Sequence, residues 1–273
     1  MRSKIFGISL FIIFTVFLGC LTPKKEVKPI QKVEEIKETI TVEKSVEKKD
    51  PDLALLESIE DGRKLPSSSG WGPEKYSEFN DQSFLNYEPA NQPIDPAKVD
   101  YPLLNAALFY MASKERRELG LRPFVYSEKC EQAAFGHAQD MVKYDFYSHT
   151  SKVGGKETLK DRLDLVGIEN TVGGENIIIS FVIQYQAGRP VFTPAQNGGN
   201  FFSYTKGGTP ISYHTYLSLA KSLVASWFNS PSHRKNILNP DYSYMGGGAY
   251  FYKDSKFFDI DRVKAVQVFS SKP

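Results

Sequence analysis

The sequence predicts an α+β sandwich in which helices pack on a few strands. Apolar residues recur at helical spacing in separate stretches, and two short runs near the C-terminus alternate glycine, β-branched and aromatic residues as strands do. The first helix is expected from a cap at Asp95 or Asp100 to Leu119. It carries Leu104, Ala107, Leu108 and Met111 on one face, and Gly120 stops it. Ser127 caps the second helix, where Cys130, Ala133, Ala134, Ala138, Met141 and Val142 share a stripe with His137. Alanines on that stripe suit close packing against a sheet, so His137 reads as a core histidine with a satisfied ring and Cys130 as a packing thiol. A third helix, Thr158 to Val166, turns Leu159, Leu163 and Val166 inward and ends at Gly167. "ENIIISFVI" (175–183) is a continuous β-branched run, expected as a buried strand. Residues 184–212, rich in Gly, Pro, Asn and aromatics, read as a long loop or hairpin. "TYLSLAKSLVASWF" is the fourth helix and buries Trp227. "MGGGAYFY" and "VKAVQVF" are the closing strands, the glycines allowing another backbone to approach.

Ahead of this domain lie three other kinds of segment. "MRSKIFGISLFIIFTVFLGC" places Arg2 and Lys4 before an apolar run from Ile5 to Leu18, which is short for a bilayer span and has the layout of a secretory signal. Gly19 directly before Cys20 resembles a bacterial lipobox. Residues 1–19 are then a signal peptide and Cys20 the lipid-bearing first residue, anchoring the chain to a membrane at the cell envelope. With Cys20 acylated, Cys130 has no disulfide partner, and stability must come from a packed core. Residues 20–50 mix Lys, Glu, Val and Thr without aromatics and read as a flexible charged tether. Residues 51–99 read as an extended, partly ordered strap, whose Trp71, Tyr76, Phe79, Phe84 and Tyr87 suggest that it packs on the domain at 100–273.

The 34 basic and 32 acidic side chains give a net charge of +2, too small to argue for nucleic acid. Glycine-rich "NGGN", "KGG" and "GGG" lack the Lys-Ser/Thr ending of a phosphate loop, and no Gly-x-Ser-x-Gly nucleophile elbow is present. His214, opening the fourth helix, reads as a surface or capping residue.

The order "ERRELGLRPFVYSEKCEQAAFGHAQDM", "SHT", "DRLDLVG", "GENI", "WFNSPSHRKNILNPDYSYMGGG" and "VQVF" resembles the bacterial branch of the CAP superfamily, which includes cysteine-rich secretory, antigen 5 and pathogenesis-related proteins. The resemblance implies a three-layer α-β-α sandwich with a central cleft and a secreted or surface location. The family's cleft gathers two histidines and two glutamates. His149 of "SHT" matches the first histidine and Glu175 of "GEN" the first glutamate. Ser230 stands at the second glutamate and Lys264 at the second histidine, so the full tetrad is absent. His233, in the turn expected at "SPSHR", stands as a replacement cleft histidine.

Two histidines and one carboxylate match a zinc site with an open position, which would activate a water. His149, Glu175 and His233 are therefore candidate metal or catalytic residues, with a divalent metal such as zinc as the cofactor. The alternative is structural: Glu175 accepts loop amides, and His233 caps the last carbonyls of the fourth helix. Three functions stay open, namely a non-enzymatic envelope module binding a lipid, sterol or protein, a metal-dependent hydrolase, and a structural envelope lipoprotein. The anchor is tested by detergent phase partition: the full chain is expected in the detergent phase, and Cys20→Ser is expected to give an aqueous or unprocessed protein.

Overall fold

The computed structural model describes residues 65–273. The expected signal peptide, Cys20, the tether and the first part of the strap lie outside the described residues. Among the described residues, six helices and four strands follow one another as α1 (Tyr101–Glu118), β1 (Val125–Tyr126), α2 (Glu128–Lys143), α3 (Leu159–Leu165), β2 (Gly173–Phe181), α4 (Pro194–Asn197), α5 (Tyr216–Asn229), α6 (Pro231–Leu238), β3 (Tyr244–Asp254) and β4 (Ile260–Ser270). Three 3-10 turns precede them, between Pro73 and Asn91.

Local chemistry sets the helix starts as expected. Asp100 accepts the Leu103 amide at the head of α1, and Ser127 accepts the Cys130 amide at the head of α2. Thr158 with Asp161, and Thr215 with Ser218, close reciprocal capping boxes on α3 and α5. His214 joins the second of these, its Nδ1 lying 2.9 Å from Ser218 Oγ.

The sheet runs β1-β3-β4-β2, with β1 parallel to β3 and the other pairs antiparallel. Alternation along β3 explains the three layers. Met245, Gly247, Ala249 and Phe251 face one side, while Gly246, Gly248 and Tyr250 face the other. A Cβ on Gly246 or Gly248 would collide with the α2 backbone at Glu131 and Phe135. One on Gly247 would lie 2.8 Å from Leu108 Cβ on α1. Glycine thus brings a helix close on each face of one strand.

Two cores result. On one face α1 and α5 bury Leu104, Leu108, Leu223 and Trp227 against Met245, Val263 and Phe269. On the other, Cys130, Ala134 and Ala138 of α2 and Leu163 of α3 pack on Ile177, Val266 and Val268. Cys130 is fully buried, and burial pushes its thiol up to about 11, in keeping with a packing role. The strap's aromatics join the first core: Trp71 meets Phe84 and Tyr87 at 5.3 Å and Tyr110 at 6.0 Å between ring centres.

Two expectations need correction. The run 175–183 is not a fully buried strand: β2 lies at the sheet edge, and Ile178, Ile179 and Phe181 are only partly covered. "SPSHRKNIL" is not a turn but the helix α6, with Ser230 as its N-cap and Pro231 at its first position, where a missing N–H costs nothing.

Trp227 is fully buried and donates Nε1–H to the Ile177 carbonyl at 3.1 Å, tying α5 to the sheet edge. Trp227→Ala removes that packing and one of two side-chain donors to the Ile177 carbonyl, Tyr147 Oη at 3.1 Å remaining, so a loss of about 3–5 kcal/mol is expected in denaturant melts.

Candidate functional site

Glu175 of β2 points, with Ile177, toward the α2–α3 face. Its side chain is 3% exposed. Three groups surround it. Arg162 of α3, itself 2% exposed, reaches Glu175 Oε2 at 2.6 Å and holds the His149 carbonyl at 3.2 Å. His149, on the loop after α2, donates from Nδ1 to Oε1 at 2.7 Å and leaves the rest of its ring 57% exposed. His137 of α2 lies 3.9 Å from the same oxygen.

Burial alone would raise the Glu175 carboxyl, but the His149 hydrogen bond and the Arg162 charge outweigh it and hold the group below its ordinary value. His137 moves for the opposite reason. Its ring is fully buried and gives Nε2–H to the Ser148 carbonyl at 3.0 Å, and desolvation is the largest cause lowering its pKa to about 4. Its Nδ1 has no hydrogen-bond partner among the described residues. The ring is therefore only half satisfied, and it belongs to the site rather than to the core alone. The burial is that of the expected core histidine, and only the expectation of a fully satisfied ring is not met.

His233 sits in the first turn of α6, across the edge of β2. Burial lowers its pKa first, and the nearby His149 second. The backbone does the joining: Asn176 donates to the His233 carbonyl at 3.1 Å, and Asn236 donates to the Glu175 carbonyl at 3.1 Å and to Asn176 Oδ1 at 2.8 Å. The His233 ring makes no hydrogen bond among the described residues, and the last turn of α5 is closed instead by Ser230 N–H on the Trp227 carbonyl. Arg234 turns outward and lies over the Phe228 ring at 4.5 Å.

At the two positions where the resemblance expects tetrad members, this chain builds supports. Ser230 starts α6. Lys264 is 4% exposed and donates to the Met141 and Phe146 carbonyls at 2.6 and 2.8 Å, where α2 ends and its dipole is negative. Burial lowers the pKa of this lysine.

The donor set does not fit a divalent ion as arranged. Both Glu175 oxygens are already engaged, one by a guanidinium whose positive charge an ion at that carboxylate would have to displace. Among the described residues no group of three His, Cys, Asp or Glu side chains is close enough to hold an ion. What the arrangement provides is an oriented imidazole: Glu175 holds His149 at Nδ1 and leaves the far edge of the ring toward solvent.

Sequence reasoning missed Arg162 and His137. Arg162 lies three residues after Leu159 and four before Val166, on the inward stripe of α3, and a charge on such a stripe signals a buried partner.

This is a three-layer α+β domain whose cleft is organised by a buried carboxylate. Residues 182–269 match the CAP, or cysteine-rich secretory protein, family. The chain is 28% identical over 145 residues to the membrane protein YlbC of Bacillus subtilis (strain 168), covering 53% of this chain and 30% of that protein. It is 27% identical over 139 residues to YkwD of the same organism, covering 50% and 39%. The chain thus spans well under half the length of these two relatives. Among solved structures, an extracellular SCP-domain protein of Bacillus anthracis str. Ames aligns with 22% identity and a TM-score of 0.43, over 69% of this chain and 49% of that one. An outer surface protein of Borrelia burgdorferi aligns with 17% identity and a TM-score of 0.40, over 66% and 97%. The family match is confined to residues 182–269 of this chain.

The neutral, buried state of His137 makes stability depend on pH. Its folded pKa lies below the ordinary 6.5, so the unfolded chain takes up the proton first and stability falls as pH drops from about 6.5 to about 4. Glu175, also lowered, acts in the same direction at more acid pH. His137→Gln is expected to flatten the upper part of that decline, a change of up to about 3 kcal/mol in urea melts across the range.

Proposed function

We infer that this protein is a non-enzymatic binding module of the cell envelope or surface, displayed by a lipidated Cys20, and that its ligand is apolar: a lipid, a sterol or the apolar face of a protein. One observation carries the reading. Phe181, Ile183, Tyr185, Val191, Phe202 and Phe257 line an open pocket of about 160 Å³. Pockets lined almost wholly by apolar and aromatic side chains favour ligands of the same kind. Tyr185 and Phe257 remain 38% and 40% exposed, as a recognition surface requires. The membrane protein among the relatives supports the location. Among the described residues no helix is long and apolar enough to cross a membrane.

A second reading, a metal-dependent hydrolase on His149, Glu175 and His233, is favoured by the exposed, carboxylate-oriented His149 ring. It requires Arg162 to give up Glu175. A structural envelope lipoprotein is the third reading, and function retained after removal of residues 20–50 would count against it.

Titration with a fluorescent fatty acid and a fluorescent sterol tests the first reading. Saturable binding is expected, weakened at least about tenfold in Phe257→Ser, a loss of about 1.4 kcal/mol. Absence of binding to either probe, or binding unchanged by that substitution, would overturn the pocket assignment. Zinc uptake lost in both His149→Ala and His233→Ala, together with peptide hydrolysis, would establish the second reading instead.

A further inference from the structure

The hairpin between β3 and β4 ends in a turn made of residues that such turns disfavour. Phe257, Phe258, Asp259 and Ile260 form it, closed by the Ile260 N–H on the Phe257 carbonyl at 3.2 Å. Its two central residues, Phe258 and Asp259, have φ of 58° and 51°. Turns with positive φ at both centres favour Asn-Gly, because a β-carbon is crowded there and a bulky ring is an outlier. Phe258 takes that position and is still 49% exposed, so burial in a core does not offset the strain. An exposed aromatic surface continues from it. Phe257 lies 5.5 Å from Phe258 and 5.8 Å from Phe181 between ring centres, and Phe181 lies 6.3 Å from Tyr185. Phe257 and Tyr185 are exposed as well. Contiguous apolar surface of this kind marks contact with another apolar phase.

Charge supplies a second, independent observation. Between Glu175 and Asp241 the sequence has no acidic residue, while Arg189, Lys206, Lys221, Arg234 and Lys235 are basic. The whole chain carries 34 basic and 32 acidic residues, so this imbalance is local. Two of the cations belong to the segment that bears the aromatic surface. Arg189 lies over the Tyr204 ring at 3.8 Å, and the Tyr204 hydroxyl donates to the Gln184 carbonyl at 3.3 Å. Lys206 follows Phe202, which stacks on Phe257 at 5.7 Å, and both Arg189 and Lys206 are exposed. On the hairpin, Asp254 and Asp261 are neutralised by Arg262 and Lys253 at 2.7 and 3.0 Å. Lys256 meets Asp145 at 3.6 Å, but both side chains are more than four-fifths exposed, and such a pair holds its partners weakly. Asp259 is the remaining acid of the turn.

We propose that this face docks on an anionic lipid bilayer, with Phe257 and Phe258 entering the headgroup region and Arg189, Lys206 and Lys256 set against the lipid phosphates. A bilayer meets both observations at once, taking the rings into its apolar boundary and the cations at its charged surface. Each Lys or Arg held near an anionic surface favours the docked state about fivefold, and the rings add an apolar contribution that salt does not screen. The inference rests on the envelope location of the proposed function. It does not depend on a ligand in the pocket, since Phe258 is not part of the pocket wall.

Quenching of tryptophan emission by brominated lipid reads which part of a bound chain enters the bilayer, wherever else the chain is anchored. The full chain is mixed with vesicles of phosphatidylcholine and phosphatidylglycerol brominated on their acyl chains. Wild type gives the baseline, because Trp71 and Trp227 are both buried. The emission added by Phe258→Trp is expected to be quenched. Leu165→Trp is the control, at an exposed position of α3. Leu163 of that helix lies against Gly173, which pairs with Ser270 at the opposite end of β4 from the turn. Its emission is expected to be unquenched. Arg189→Glu and Lys206→Glu, added to Phe258→Trp, are expected to lower the ratio of docked to free turn at least about fivefold. Phe258→Asn, whose new side chain tolerates positive φ, is expected to reduce the quenching of a Tyr185→Trp reporter. Binding of the fluorescent fatty acid is expected to persist in Phe258→Asn, which separates this test from that of the pocket. Emission at position 258 that is not quenched, quenching equal at 165 and 258, or quenching unchanged by the two charge reversals would overturn the proposal.

Discussion

The close approach of α2 to β3 is the constraint on which the rest of this domain depends. Gly246 and Gly248 leave no side chain between the strand and the helix backbone, and Gly247 does the same for α1 on the opposite face. Three consecutive glycines in a strand are costly in chain entropy. The cost is offset because one strand then seats two helical layers at once. The depth at which α2 sits decides where its inward residues reach. Cys130, Ala134 and Ala138 fill the core beside Val266 and Val268, and His137 on the same stripe arrives beside Glu175. Lys264 then closes the end of that helix from β4, with its ammonium on two carbonyls.

Electrostatics in the cleft follow from that packing. A carboxylate as buried as Glu175 would not stay ionised without compensation. Arg162 supplies a full charge, and His149 a hydrogen bond to the other oxygen. The cost of burying the ion pair is met by further bonds: Arg162 also donates to the Lys156 and His149 carbonyls at 2.9 and 3.2 Å. Arg162 thus does two things, fixing the charge state of Glu175 and stitching the loop that carries His149. At the other edge of β2, Asn176 and Asn236 attach α6, and Arg116 holds the end of that helix through the Ile237 and Asn239 carbonyls at 3.1 and 2.9 Å. The charges of the cleft are thus paired internally, and a separate apolar pocket is lined by Phe181, Phe202 and Phe257.

Much of the fold was legible because its determinants are local. Asp100, Ser127, Thr158 and Thr215 cap helices through amides three residues on, a relation that sequence spacing states directly. The alanine stripe of α2 and the glycines of β3 could be read separately as small surfaces wanting close neighbours. The order of motifs pointed to the family and placed His149 and Glu175 together, and they are in contact. "SPSHRKNIL" was misread because Pro231 marks a helix start as readily as a turn, and eight residues carry too little periodicity to choose.

By itself the sequence determined the helix caps and stops, the inward faces, the strand glycines and the candidacy of His149 and Glu175. Those depend on neighbours within a few positions or on the order of motifs along the chain. Only the tertiary structure decided that Arg162 neutralises Glu175, that His137 lies 3.9 Å from the same carboxylate, that β2 lies at an edge, and that Glu131 meets Tyr76 across 55 residues. The physical reason is that burial and charge compensation are set by which faces meet. That is fixed by the sheet order and by how deeply each helix sits on its glycines, and neither is encoded in local spacing.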